Sequence, residues 1–431
     1  MKQLLLPALA LLSFSASAQN HRCLTPQAIE YQDQLTPGYA QSVIETFETA
    51  KANQNKSNHV YTIPVVVHVV YNTPAQNLPD SVILNQIEIL NQDYNRDNPD
   101  TVNLRTDFLP IAGDPQIKFK LAEIDENGMP TTGITRTSTA TTSFGSLALL
   151  GGDFSDMEKV KSTVDGGHDP WDQTRYLNIW ICNMAIDFFG QEVTAVLGYA
   201  TPPPGLPNWP TGSTLGLSDG VVLQFQAVGS NNPNPLDTGG GVIDVEGRTA
   251  THEVGHYLGL RHIWGDGDCT QHDGIDDTPN ADSESQQDCD PTKNTCTDTI
   301  LGMDLPDMIE NYMDYSAETC QNSFTKGQVD LMHGVLDGPR YDLVNNNPAT
   351  ILENEFIAWN VMPNPTDGII HIESEEIVKS IEVFNPQGER IVINEPNAQK
   401  ETVDLSSFAA GVYIVRISDG ATFAHKRIVL Q

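Results

Sequence analysis

The residues with the clearest chemistry are three histidines between Thr251 and His262. On a helix, His252 and His256 are one turn apart on the same face, so both imidazoles can bind one metal ion. Gly259 permits a sharp turn after the helix, because glycine adopts positive φ at little cost, and the turn brings His262 back as a third ligand. Three histidines leave a fourth position open for water, which is typical of a catalytic zinc site.

Glu253, between the two helical histidines, meets a second requirement of catalysis. Its carboxylate can accept a proton from a metal-bound water and act as a general base. A surface helix with coincidental histidines is the alternative, but it leaves Gly259 and His262 unexplained. The motif therefore predicts a zinc-dependent hydrolase.

The segments around the motif predict a mixed α/β domain that positions it. Runs rich in β-branched and aromatic residues predict strands at 60–72, 117–124, 176–182 and 220–228. Apolar residues on one helical face predict a helix over 80–94, capped by Asp80 or Ser81. The run at 220–228 is interpreted as the edge strand that aligns a substrate by β-addition.

Composition and charge exclude several classes of protein. Asp and Glu total 57 against 23 Lys and Arg, a formal net charge of −34. Nucleic acids and anionic membranes are held mainly by basic residues, so neither is an expected partner. After the first residues no apolar stretch approaches the roughly 18–20 residues of a membrane helix, so no membrane span is predicted.

The N-terminal residues are typical of an exported precursor. Residues 1–18 combine a lysine, an apolar run and small residues, which predicts a signal peptide cleaved after Ala18. A buried N-terminal helix is the alternative. Residues 19–56 are polar, show helical periodicity only around 38–52, and are interpreted as a pro-segment. The protein is therefore expected outside the cytoplasm.

The six cysteines fall into two groups. Four lie between Cys269 and Cys320, which in an exported protein indicates two disulfides. Cys182 is in an apolar, strand-like run and is expected to be a buried thiol. Cys23 lies in a polar segment that has little reason to fold alone.

Three stretches together resemble the pappalysin family of metzincin metalloproteases. They are HEVGHYLGLRHIWGDGDC at 252–269, NYMDY at 311–315 and VLGYATPP at 196–203. The likeness runs from about 57 to 340. It implies a metzincin-type zinc protease domain at 57–342, with a mixed twisted sheet and an active-site helix, that hydrolyses peptide bonds in protein or peptide substrates.

The resemblance implies roles for individual residues. The implied zinc ligands are His252, His256 and His262. Glu253 would be the general base and acid, and Met313 would form the methionine turn beneath the zinc. Tyr315 would hydrogen-bond the tetrahedral intermediate, where a phenol is a suitable donor to an oxyanion.

Cys23, in the stretch Arg22-Cys23-Leu24-Thr25, resembles the cysteine switch of the family. A thiolate at the open zinc position would exclude water and keep a precursor latent. A disulfide between Cys23 and Cys182 is the alternative.

An acidic loop follows the zinc motif, and the family binds structural calcium there. Carboxylates and carbonyls on a turn-rich loop suit Ca²⁺. The expected ligands are Asp273 and Thr278, with Asp266 and Asp277 as further candidates. A solvated acidic loop without calcium is the alternative.

The resemblance also implies the disulfides Cys269–Cys296 and Cys289–Cys320. One position departs from the family pattern. Relatives that prefer Arg or Lys carry an acid immediately before the last cysteine, near the S1′ pocket, where this chain has Thr319, with Glu318 one residue earlier. Adjacent residues in an extended segment point to opposite sides, so we expect a weaker preference for basic P1′ residues.

The residues after about 343 differ in character. A polar linker at 343–355 precedes short β-rich pieces separated by turn residues, which predict an all-β sandwich at 356–431. The pieces MPNPTDG, LSSFAAGVY and KRIV resemble the type IX secretion sorting domain, which implies the type IX secretion machinery as a partner. A carbohydrate- or protein-binding sandwich is the alternative.

Together these features predict a secreted or cell-surface zinc endopeptidase made as a latent zymogen. The rival is a surface adhesin with a vestigial zinc site. A site without catalysis needs neither a base nor a phenol, so Glu253 and Tyr315 argue against the adhesin.

Overall fold

The computed structural model describes residues 23–52, 60–146, 153–188, 191–203, 218–238, 241–345, 359–385, 390–418 and 423–431. The expected signal peptide, Arg22 and most of the expected linker lie outside the described residues. Within the described ranges, no helix has the length and apolar character needed to cross a membrane.

Helices cover the N-terminal part of the described chain and flank the main sheet. They are α1 (Thr25–Leu35), α2 (Tyr39–Ala52), α3 (Asp80–Asp93), α4 (Ser155–Glu158), α5 (Arg248–Tyr257), α6 (Lys326–Leu336) and α7 (Tyr341–Asn345). Short 3₁₀ turns lie at Pro99–Asn103, Thr106–Phe108, Lys159–Lys161 and Phe225–Ala227.

The strands before residue 345 are mostly short. They are β1 (Tyr61–Tyr71), β2 (Ala112–Gly113), β3 (Ile117–Leu121), β4 (Ile134–Ser138), β5 (Leu177–Cys182), β6 (Ile186–Phe188), β7 (Gln191–Val193), β8 (Gly198–Ala200), β9 (Val221–Gln224), β10 (Leu236–Asp237), β11 (Val242–Ile243) and β12 (Phe324–Thr325). The predicted strands at 60–72, 117–124 and 176–182 are confirmed.

A six-stranded mixed sheet carries the architecture. Its order is β3-β1-β5-β9-β8, and β4 pairs with the second half of β1. Strand β1 pairs in parallel with β3, β4 and β5, and β5 pairs in parallel with β9. The run of valines in β1 is buried because helices cover the sheet, as is typical of parallel sheets.

The interpretation of 220–228 as the edge strand is wrong. Strand β9 ends at Gln224 and has neighbours on both sides, because β8 adds to it in antiparallel orientation. The edge is therefore β8, Gly198–Ala200. Phe225–Ala227 of the predicted strand form a 3₁₀ turn.

Two local expectations also need correction. Residues 25–35 form a helix that the sequence did not predict, since the residues it buries are Thr25, Ala28 and Gln32, which give no hydrophobic period. Helix α3 has Pro79 at its N-cap and no side-chain cap, whereas Asp80 already lies in the first turn and pairs with Arg136. An acid in the first turn complements the helix dipole.

The C-terminal residues form a separate all-β unit with its own core. Its strands are β13 (Trp359–Met362), β14 (Ile369–Val378), β15 (Ser380–Phe384), β16 (Arg390–Asn394), β17 (Ala398–Asp404), β18 (Gly411–Ser418) and β19 (Phe423–Leu430). A three-stranded sheet, β13-β14-β17, and a four-stranded sheet, β16-β15-β18-β19, enclose residues such as Ile372, Ile381 and Val415. This matches the predicted sandwich.

Candidate active site

Helix α5 brings the predicted histidines together. It ends at Tyr257, and Gly259 follows with a φ of +95°, which turns the chain back toward the helix. A Cβ on Gly259 would lie 3.0 Å from Cγ2 of Val335, so a larger residue is disfavoured by space as well as by φ. The turn places His262 beside the two helical histidines.

The three imidazoles converge through their Nε2 atoms. Nε2 of His256 lies 3.1 Å from Nε2 of His252 and 3.1 Å from Nε2 of His262, and the third separation is 3.2 Å. Tetrahedral zinc with Zn–N bonds of about 2.0–2.1 Å requires nitrogen separations of about 3.3 Å. The donor set and spacing therefore fit a zinc ion.

Each imidazole is oriented by an acceptor at its other nitrogen. Nδ1 of His252 lies 2.7 Å from the carbonyl oxygen of Tyr312, and Nδ1 of His256 lies 2.8 Å from that of Leu260. Nδ1 of His262 lies 2.5 Å from Oδ1 of Asp266. Acceptors of this kind hold the proton on Nδ1 and leave the Nε2 lone pair for a metal.

Electrostatics favour uncharged ligands and a proton-accepting carboxylate. Burial, followed by the effect of His262, lowers the pKa of His256 to about 3, so its imidazole is neutral and able to coordinate. Burial raises the pKa of Glu253 to about 8, offset in part by hydrogen bonds from Cys23 and Thr25. A raised carboxyl pKa is typical of general bases.

Met313 and Tyr315 complete the surroundings of the histidines. Met313 is buried beneath α5, where a Cβ on Gly255 would lie 2.5 Å from its Sδ, so a glycine is required for this approach. The Tyr315 ring packs against the rings of His252 and His262. Burial raises the pKa of Tyr315, which keeps its hydroxyl protonated and able to donate.

Cys23 lies in the same site although it is 230 residues away from Glu253 in sequence. Its sulfur is within 4.8 Å of the metal-binding atoms of all three histidines and 3.3 Å from Oε2 of Glu253. Burial, followed by the charge of Glu253, raises the pKa of the Cys23 thiol. A thiolate at this position therefore needs a cation beside it.

The backbone around Cys23 occupies the edge of the sheet. Leu24 N donates to the carbonyl oxygen of Gly198 at 3.1 Å, and Cys23 forms a parallel bridge with Gly198. The Tyr315 hydroxyl accepts from Cys23 N at 3.2 Å and donates to Cys23 O at 3.1 Å. The segment thus covers both the edge strand β8 and the phenol.

Thr25 makes a further contact that the sequence did not reveal. Ala200 N donates to its Oγ1 at 2.8 Å, and Oγ1 lies 3.3 Å from Oε2 of Glu253. Thr25 N lies 3.3 Å from the sulfur of Cys23. Thr25 therefore connects the edge strand, the thiol and the carboxylate.

The cysteines pair as the resemblance implied. Cys269 bonds to Cys296 and Cys289 bonds to Cys320. Cys23 and Cys182 are both buried free thiols, so the alternative disulfide between them is not formed.

The acidic loop holds the carboxylate of Asp273 in the protein interior and half-buries that of Asp277. Asp273 is 1% exposed, its Oδ1 accepts from Ile275 N, and burial raises its pKa to about 8. Oδ2 of Asp273 and Oδ1 of Asp277 are buried without hydrogen-bond partners among the described residues. Thr278 is buried near Asp273, and its Oγ1 lies 3.4 Å from Oγ1 of Thr325.

Asp266 does not belong to this group. Its backbone has a φ of +58°, and its carboxylate accepts from His262. His262 thus occupies one oxygen of this carboxylate, and calcium binding by Asp266 stays a prediction.

Glu318 and Thr319, the candidate substrate-pocket residues, differ in their exposure. A small pocket beside Glu253 and His252 is lined by Glu318 and Asp314, whereas Thr319 is exposed to solvent. The two neighbours do point to opposite sides, but the acid is the one that points inward. An acid therefore lies at this pocket, and the expected weaker preference for basic P1′ residues stays a prediction.

Glu318 also has a structural role that the sequence did not predict. Its carboxylate accepts from the backbone N–H groups of Glu246, Arg248 and Thr249 at 2.7–3.1 Å. Helix α5 has Gly247 at its N-cap and no side-chain cap of its own. A distant acid therefore satisfies the open N–H groups at the start of the zinc helix.

Known proteins resemble the chain in both of its parts. The profile described as pregnancy-associated plasma protein-A matches residues 242–337, and that of the secretion system C-terminal sorting domain matches 360–431. Mature mirolysin of Tannerella forsythia, solved with a cleaved peptide, is 40% identical, with a TM-score of 0.55 over 67% of this chain and 97% of mirolysin. The chain belongs to the pappalysin family.

Further relatives agree with this membership. A promirolysin mutant from the same organism is 37% identical to this pappalysin, with a TM-score of 0.61 over 75% of this chain and 97% of promirolysin. An extracellular metalloprotease of Arthroderma benhamiae is 28% identical over 319 residues, which cover 73% of this chain and 86% of the relative. This pappalysin is a zinc metalloprotease that is secreted or exposed at the cell surface, and its mixed α/β fold with a β-rich C-terminal region is as predicted.

Proposed function

We propose that this pappalysin is an endopeptidase made as a latent zymogen and that Cys23 blocks its zinc site until maturation. The observation that carries the proposal is the convergence of four metal-binding atoms, from Cys23 and three histidines, within 4.8 Å of one another. A coordination sphere of three imidazoles and one thiolate is complete, so it leaves no position for water.

The histidines His252, His256 and His262 would hold the zinc ion. When bound there, zinc supplies Lewis-acid activation of a water and of the scissile carbonyl. Glu253 then accepts the proton from the attacking water and passes it to the leaving amine. Tyr315 donates a hydrogen bond to the oxygen that becomes negatively charged.

Substrate alignment is assigned to strand β8. In the zymogen the backbone at Leu24 already pairs with Gly198 on this strand. When the pro-segment leaves, the N–H and C=O groups of Gly198–Ala200 become available to an extended peptide. The position next to the histidines supports β8, rather than 220–228, as the strand that takes substrate.

Calcium is proposed for the acidic loop, held by Asp273, Asp277 and Thr278. Two buried carboxylate oxygens without partners are costly unless a cation or proton compensates them. Oxygen ligands on a loop are the donors that Ca²⁺ prefers.

The C-terminal unit is proposed to be the signal for type IX export. The match to the sorting-domain profile begins at residue 360, close to the expected boundary at 356. In the proposed organisation, 1–18 is the signal peptide, 19–56 the pro-segment and 57–342 the protease, with 343–355 as the linker.

The proposed chemistry is tested by replacing Glu253 with Gln in the matured enzyme. Casein hydrolysis should fall by several orders of magnitude while bound zinc, measured by mass spectrometry of the native protein, is unchanged. Wild-type hydrolysis should stop on chelation and return with Zn²⁺. Activity of Glu253→Gln within tenfold of the wild type would exclude Glu253 as the base.

A further inference from the structure

Asp93, at the end of helix α3, connects the two segments that hold His252. Its Oδ2 accepts from the Thr251 hydroxyl at 2.7 Å, and its Oδ1 accepts from the Tyr312 hydroxyl at 2.9 Å. All four side chains are at least nine-tenths buried. One carboxylate thus joins the zinc helix to the turn that carries Met313.

Both partners of Asp93 act directly on the orientation of His252. Thr251 is the preceding residue on α5, so its hydrogen bond fixes the backbone from which the imidazole projects. Tyr312 places its carbonyl oxygen 2.7 Å from Nδ1 of His252. A substitution of Asp93 would therefore alter the orientation of His252 in two ways, through the His252 backbone and through the hydrogen bond to its ring.

Neighbouring groups strengthen the same connection. The Tyr94 hydroxyl donates to the carbonyl oxygen of Thr251 at 2.9 Å. Nε of Arg248, at the start of α5, lies 3.7 Å from Oδ1 of Asp93 and balances its charge. The end of helix α3 therefore contacts α5 through the Asp93–Arg248 ion pair and the hydroxyls of Thr251 and Tyr94. Apolar contacts alone would be enough to pack two helices together.

We propose that Asp93 is a positioning residue for the zinc site, which fixes the ring of His252 through Thr251 and Tyr312. The proposal rests on His252 being a zinc ligand. Groups that orient metal-bound histidines typically change metal affinity about 10–100-fold when they are removed. Asp93 acts through Thr251 and Tyr312 rather than on the histidine directly, so we expect a change in zinc affinity at the lower end of this range.

The test measures zinc retention by the full chain against a competing chelator. Tyr312→Phe removes one hydroxyl, and Asp93→Asn preserves volume while it removes the charge. Both should bind zinc about tenfold more weakly. Tyr176→Phe is the matched control, because its buried hydroxyl donates to the carbonyl oxygen of Ile124 at 2.8 Å, away from the site. It should lose similar thermal stability and retain zinc within twofold.

Two further measurements separate positioning from general stability and from the zinc assignment. In the matured enzyme, Tyr312→Phe should lower kcat with KM unchanged, because the substrate-binding strand is untouched. Zinc retention by Tyr312→Phe and Asp93→Asn equal to that of the Tyr176→Phe control would overturn the proposal. His252→Ala should lose zinc in any case; if it does not, the proposed ligand set is at fault rather than Asp93.

Discussion

The sulfur of Cys23 lies 3.3 Å from Oε2 of Glu253, so the proposed pro-segment contacts the proposed base as well as the proposed metal position. Thr25 adds a second contact to the same carboxylate oxygen. Both groups must leave before a water can reach Glu253. The proposed latency therefore has two parts, one at the metal position and one at the base.

The latency of the precursor should respond to both residues. Cys23→Ala should give a precursor with measurable peptidase activity, because the metal position is no longer blocked. Adding Thr25→Val, which removes only the hydroxyl, should increase this activity severalfold by freeing Glu253 and the N–H of Ala200. The measurement is the hydrolysis of a fluorogenic peptide by the uncleaved precursors, whose activity should rise from the wild type to Cys23→Ala to the double variant.

The matched control for this pair is Thr49→Val. Thr49 lies on α2, and its hydroxyl donates to the backbone carbonyl of Glu45, within the same helix. It should leave latency unchanged. A double variant no more active than Cys23→Ala would show that Thr25 does not restrain the base.

Calcium should stabilise the acidic loop specifically. Asp273→Asn should lower the melting temperature and abolish the further loss caused by a calcium-selective chelator, because a buried ligand to the ion is gone. Asp268→Asn, in an exposed part of the same loop, is the control and should retain the calcium response. Wild-type melting that is insensitive to the chelator would mean that the loop holds no calcium.

Specificity at P1′ should depend on Asp314 rather than on residue 319. Oδ2 of Asp314 is buried without a hydrogen-bond partner among the described residues and lies at the pocket beside Glu253. Asp314→Asn should reduce the preference for Arg or Lys over apolar P1′ residues by about tenfold in kcat/KM, roughly 1.4 kcal/mol.

Thr319→Asp provides the comparison, because its side chain faces solvent. It should change the P1′ profile less than twofold in a peptide library. A large shift on Thr319→Asp with none on Asp314→Asn would place the pocket floor at residue 319 after all.

Stability should fall at acidic pH through His68 in strand β1. Its Nδ1 and Nε2 pair with Thr135 and Asn178, and burial, followed by the effect of His168, lowers its pKa to about 3. Below about pH 6.5 the unfolded chain binds a proton that the folded chain does not. The free energy of unfolding should therefore decrease by about 3 kcal/mol at pH 4 from this residue.

Chemical denaturation at several pH values checks this effect. His68→Gln should be less stable at pH 7 but lose less stability between pH 7 and pH 4 than the wild type. Parallel pH profiles for the two proteins would show that His68 is not the source.

The convergence of the three histidines was predictable because they are close in sequence. A helix fixes the geometry of His252 and His256, and Gly259 fixes the return of His262. The contacts of Cys23 came from the family resemblance, since no local pattern links it to residues more than 200 positions away. Thr25, Asp93 and the capping role of Glu318 were missed because each contact is made by a single polar side chain across long sequence separations.

The errors in the fold have a similar origin. The run at 220–228 has the composition of a strand. Whether it lies at the edge of the sheet depends on β8, which has only three residues and gives no periodic signal. Asp266 and Asp273 are alike in sequence, and only the structure shows that the Asp266 carboxylate accepts from His262.

The most direct measurement is zinc X-ray absorption on the purified, uncleaved precursor. We expect three nitrogen ligands at about 2.0–2.1 Å and one sulfur ligand at about 2.3 Å. In Cys23→Ser the sulfur contribution should disappear while the three nitrogen ligands remain. A wild-type spectrum with only nitrogen and oxygen ligands would contradict the proposed block of the zinc site by Cys23.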